Sequence, residues 1–132
     1  MTSLDFEVRS EKEVFIALVS SINKEKKEMY EIALGGWGNT GSAISECPGT
    51  DLSGFCDITI RNGAMIESVL SGYDSYERFW ITFHNNTVAV GRHGNSIPFM
   101  AATYPSLMEI NYVGVFTGYG SDGYWKFHSF CK

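Results

Sequence analysis

The feature that most restricts this chain is a period of two. Asp5-Phe6-Glu7-Val8-Arg9 alternates, residues 14–19 are wholly apolar, and Tyr30-Glu31-Ile32-Ala33-Leu34 alternates up to Gly35-Gly36. Residues 55–60 lead into the turn Arg61-Asn62-Gly63, and residues 78–83 pass through His84-Asn85-Asn86 into 87–91, which reads as a hairpin. Residues 111–117 and 124–130 complete the set, separated by Gly118-Tyr119-Gly120-Ser121-Asp122-Gly123. Side chains alternate across a strand, so such runs are half-buried or fully buried strands, eight to ten in all. Helical candidates are few: residues 20–29 are polar without an apolar stripe, and residues 64–70 are too short to stand alone. With fourteen glycines gathered at run ends and no βαβ spacing, the expected fold is all-β. It is an antiparallel, jelly-roll-like β-sandwich, one domain over residues 1–132.

Charge narrows the partners. Fifteen acidic residues against ten basic ones give a net charge of −5, and the basic run 24–28 alternates in sign. No basic face tracks a phosphate backbone, so nucleic acid is not an expected partner. No apolar stretch reaches the roughly 18 residues of a membrane span, so membrane insertion is not expected, and Met1-Thr2-Ser3-Leu4-Asp5-Phe6 has no basic-then-apolar leader. Of three cysteines, Cys47 and Cys56 bracket a turn-rich loop that a disulfide would stabilise by about 2–3 kcal/mol. Cys131 is left as a free thiol or an intermolecular contact. With the sequon Asn85-Asn86-Thr87, these features point to a secreted, extracellular protein.

No catalytic or cofactor constellation emerges. Residues 34–42, with Gly35-Gly36-Trp37-Gly38-Asn39-Thr40, have the glycines of a phosphate- or cofactor-cradling loop, but a helix must follow and residues 42–48 read as another strand. A sharp β-turn or bulge is the expectation, and no cofactor. His84, His93 and His128 lack metal-ligand spacing, the acids are dispersed, Asp122 reads as a turn residue, and no G-x-S-x-G elbow occurs. What remains is a loop inventory: Trp37 and Asn39; His84 and Asn85; Arg92, His93 and Asn95; Tyr119, Asp122 and Tyr124. Flat aromatic faces beside amide, carboxylate and guanidinium groups suit the alternately apolar and hydroxylated faces of a sugar. Trp80 and Trp125 lie inside apolar runs and read as core.

The ordered series from Tyr30 to Thr40, then Phe79-Trp80-Ile81, Val88-Ala89-Val90-Gly91, residues 112–118 and Gly123-Tyr124-Trp125-Lys126-Phe127 resembles the farnesoic acid O-methyltransferase-like domain over nearly the whole chain. That resemblance implies a β-sandwich of extracellular or multidomain proteins. Residues 46–60 depart from the pattern as an elaborated loop. By analogy, a free-standing copy looks like a small marine-invertebrate-type lectin. The expected function is therefore a carbohydrate-binding protein for galactose-type glycans. Its expected contacts are Trp37, Asn39, Arg92, His93, Asn95, Tyr119, Asp122 and Tyr124 at one end of the sandwich. A single weak site would act through a homo-oligomer, joined by Cys131 or an exposed sheet edge. The alternatives are an S-adenosylmethionine-dependent methyltransferase of a small isoprenoid acid, which the family name implies, and a protein–protein adhesion or immune-recognition module.

Overall fold

A computed structural model describes residues 2–20, 27–50, 60–107 and 109–131. Within them run ten strands: β1 (Thr2–Ser10), β2 (Val14–Val19), β3 (Lys27–Gly35), β4 (Gly41–Thr50), β5 (Ile60–Met65), β6 (Gly72–His84), β7 (Thr87–Arg92), β8 (Met100–Thr103), β9 (Tyr112–Thr117) and β10 (Gly123–Cys131). They form two five-stranded sheets, β10-β1-β6-β7-β8 (sheet I) and β5-β4-β3-β2-β9 (sheet II), antiparallel at every pairing. Each is built on a meander, β6 to β8 in one and β2 to β5 in the other. The all-β sandwich read from the sequence is the fold observed.

Period-two burial makes the core. Leu4, Phe6 and Val8 alternate with less buried residues along β1 and face inward with Phe79, Ile81, Phe83, Val88 and Val90. Against them pack Ile16, Leu18, Ile32, Leu34 and Ile44 of sheet II. Strand β2 is buried on both faces. Its outward residues Ala17 and Val19 form a second cluster with Met29, Cys47 and Phe116, while Phe15 stacks on Phe116 at 5.0 Å. Cys47 is disulfide-bonded; Cys56, its expected partner, lies outside the described residues.

Register fixes which loops meet. Ser10 faces Gly72 and Gly123, Val14 faces Leu34 and Thr117, and Phe79 faces Arg92. The turns 11–13, 35–40, 93–99 and 118–122 and the approach to β6 therefore share one end of the sandwich. The hairpin at Asn85-Asn86, with φ of 51° and 59°, lies at the other; two left-handed residues there match a two-residue turn of the type that suits strand twist.

Three readings of the sequence are corrected. Residues 64–70 are not helical: β5 runs to Met65, and Val69 and Leu70 are buried in the core. Residues 27–29 open β3, while 21–26 lie outside the described residues. Trp80 is not core, because its neighbours Phe79 and Ile81 take the inward positions. Its indole lies on the outer face of sheet I over Gly91, where any Cβ would sit 2.1 Å from the ring. Its N–H donates to the carbonyls of Arg92 and Asn95 at 3.0 and 2.8 Å. Trp125 is partly buried against the core, as its apolar surroundings suggest.

Candidate functional site

The turn joining β3 to β4 is held in an unusual backbone. Gly35, Trp37, Gly38 and Asn39 all have positive φ, within the single helical turn α1 (Gly36–Asn39) and its cap. Glycine is required at 35, since a Cβ there would come within 2.4 Å of Leu70 Cδ1. Asn39 locks the turn from below. Its Oδ1 accepts from the backbone N–H groups of Val69 (3.3 Å) and Leu70 (3.2 Å), and its Nδ2 donates to the Leu70 carbonyl (2.8 Å). On the other side the Gly38 N–H donates to Glu13 Oε1 at 3.0 Å. The Glu13 backbone in turn bonds Gly35 and Gly118, so three loops are tied through one residue.

Among the described residues, six non-glycine residues have left-handed φ: Asn39, Asn85, Asn86, Glu13, Trp37 and Tyr119. Asparagine tolerates that region; a glutamate, a tryptophan and a tyrosine do so at a cost of about 1–3 kcal/mol each. All three of these costly residues line the same cleft.

The cleft, of about 470 Å³, lies on the outer face of sheet II at its loop end. Trp37 and Tyr119 flank it, 55% and 71% exposed. Arg61 from β5 lays its guanidinium over the Trp37 ring at 4.5 Å, a cation–π contact that orients both. The floor is apolar and shallow-sided: Phe15, Ala33 and Ala43, with Gly36. Into it project Ser45 and the carboxyl of Glu31, which is only 8% exposed. Burial pushes the Glu31 carboxyl above the usual carboxylate range, because the charged form loses solvation. An apolar floor, aromatic walls and a few placed polar groups are the usual makings of a small-molecule site of this size.

Of the residues expected from the sequence, the structure brings Trp37 and Tyr119 together in the cleft. Asn39 supports it from behind. Arg92 sits at the same end but turns inward, 3.5 Å from Glu77 and near the rings of Phe79 and Phe99. His93 and Asn95 are exposed in the turn after β7, where Asn95 Oδ1 accepts from the Ile97 N–H. Asp122 is exposed, its backbone N–H on the Tyr73 hydroxyl, and Tyr124 lies on the outer face of sheet I. The sequence reading missed Glu13, Glu31 and Arg61. A signal for Glu31 existed: it is the one charge on outward positions 29, 31 and 33, beside a strand apolar at every position.

Among the described residues no group of three or more His, Cys, Asp or Glu side chains is placed to hold a metal ion, and no helix is long and apolar enough to cross a membrane. Fold and cleft together define a class: β-sandwich domains with a loop-framed cleft on one outer sheet face. The particular family follows from the whole sequence, since residues 1–130 match the family described as farnesoic acid O-methyl transferase, and the chain belongs to it. No curated protein and no solved structure matches the chain.

Proposed function

We propose that the cleft is a carbohydrate site for a galactose-type terminal sugar. The observation that carries this reading is the convergence of the three costly left-handed residues on one cleft. Such strain persists where surrounding structure over-determines it, and at Trp37 and Tyr119 it presents flat aromatic walls to solvent. A pyranose offers an apolar C–H face to an aromatic ring and hydroxyls to carboxyl and guanidinium groups. In this reading Trp37 stacks on the sugar, Tyr119 closes the opposite side, and Glu31, Ser45 and Arg61 meet hydroxyls. The disulfide at Cys47 and the exposed Asn85 sequon fit an extracellular setting. One weak site per chain, with affinity on the order of micromolar to millimolar, acts usefully only when copies are joined, so we include a homo-oligomer in the proposal.

The test is a glycan array with the purified chain, followed by titration of the selected sugar against Trp37→Ala and Arg61→Ala. Selective binding that weakens at least about tenfold in Trp37→Ala supports the site. A blank array together with saturable S-adenosylmethionine heat overturns it in favour of the methyltransferase that the family's description names.

A further inference from the structure

Sheet I carries a second, separate arrangement on its outer face, away from the cleft. Arg9 on β1 is clamped between two tyrosines, its guanidinium carbon 5.3 Å from the Tyr76 ring centroid and 4.5 Å from that of Tyr124. Lys126 on β10 reaches the same Tyr76 ring, its Nζ 4.2 Å from the centroid. Two cations thus share one ring in a chain whose net charge is −5.

The carboxylates that flank them are already taken. Asp5 forms two hydrogen bonds with Arg78 and Glu7 bonds His128, while Glu77 lies in the inward phase of β6, opposite Val8, and pairs there with Arg92. Asp74, the fourth carboxylate of the sheet's described residues, forms no ion pair with either cation. Arg9 Nε is buried without an acceptor. The terminal nitrogens are not among the buried atoms without a partner and take part in no ion pair of the described residues, so the outer fork of the guanidinium keeps its donors for a ligand. A guanidinium held flat in this way has lost its rotational freedom before anything binds, and its fork matches two oxygens of a carboxylate, sulfate or phosphate.

We infer that Arg9 and Lys126, oriented by Tyr76 and Tyr124, form an oxyanion-binding site, suited to a sulfate ester or a carboxylate on a larger ligand. Arg9 supplies the bidentate fork, and Lys126 supplies a movable second charge. This site is independent of the cleft: it is on the opposite sheet, shares no residue with it, and stands or falls separately.

The experiment follows the Arg9 Nε–Hε resonance of the full chain by nitrogen–proton NMR, identified by its loss in Arg9→Lys. Sodium sulfate and sodium acetate are titrated separately, with sodium chloride matching ionic strength. A saturable shift with a dissociation constant on the order of millimolar, absent with chloride, is the expected result. Sulfate as the tighter binder assigns a sulfate ester, and acetate as the tighter binder assigns a carboxylate. In Lys126→Gln, an exposed change that leaves the core untouched, the same titration weakens at least about fivefold. Shifts that chloride reproduces, or that are unaltered in Lys126→Gln, overturn the inference.

Discussion

Replacing Asn39 by alanine separates the turn that carries Trp37 from the segment beneath it, without touching any residue that lines the cleft. Three hydrogen bonds to Val69 and Leu70 disappear, each worth about 1 kcal/mol net. Alanine at φ 64° adds about 1 kcal/mol, because its Cβ is crowded where asparagine is partly compensated by local hydrogen bonding. The sum is about 3–4 kcal/mol, a large share of the 5–15 kcal/mol stability of an ordinary domain. Two further variants divide the sum. Asn39→Gly loses the hydrogen bonds but not the backbone compatibility, so it falls above alanine by about 1 kcal/mol. Asn39→Asp keeps an acceptor for both N–H groups and loses only the donor to the Leu70 carbonyl, so it falls above both, about 1–2 kcal/mol below wild type. Urea unfolding followed by tryptophan fluorescence reads all four proteins. If Asn39→Ala unfolds within about 1 kcal/mol of wild type, the lock is not a lock. If glycine is no better than alanine, the left-handed backbone carries no cost, and the argument that strain marks the cleft loses its footing.

Ionising Glu31 in its buried position costs stability, so the contribution of its protonated form is complete below the unfolded pKa and is lost as pH rises through the raised folded value; Glu31→Gln is therefore expected to stabilise more at pH 7 than at pH 4 in paired urea curves. Asp5 behaves oppositely: the Arg78 guanidinium bonded to it lowers its pKa, so its contribution is present above the ordinary carboxylate range and fades as pH falls through the lowered value. That pair is partly exposed, and Asp5→Asn should lose no more than about 1 kcal/mol at neutral pH, with the gap to wild type closing in acid. Gly91→Ala drives a methyl into the Trp80 ring and breaks both indole hydrogen bonds, giving a loss of about 2–3 kcal/mol and a red-shifted native emission spectrum.

Much of the fold was legible because burial in a sandwich writes itself into the sequence with a period of two. The alternation at Phe6 and Val8 and the all-apolar β2 translate directly into an inward-facing row and a strand covered on both sides. Trp80 was misread because a large aromatic in an apolar run looks like core until strand phase is applied, and Phe79 and Ile81 had already claimed the inward phase. Residues 64–70 were ambiguous because their partners are non-local: Ala64 and Met65 pair with β4, and the Asn39 amide, about thirty residues distant, holds Val69 and Leu70. The same reason limited the site. Trp37 and Tyr119 stood out as aromatics among loop glycines, whereas Glu13 and Arg61 became part of the cleft only through non-local pairing. Asn39 was noticed for its neighbourhood and turns out to act through the backbone behind it.

The pairing of β1 with β10 also sets where the two ends of the described chain lie. Ser3 lies opposite Cys131, so the two ends of the described chain leave on neighbouring strands, about 5 Å apart, at the pole away from the cleft. A short peptide bridge between them, with a new opening in the exposed turn at Gly94, would make a circular permutant that keeps every strand pairing. Copies strung in tandem, or hung from a larger scaffold by either terminus, would all be held by the foot. The loop end of each copy, with Trp37 and Tyr119, would then lie at the pole far from the attachment.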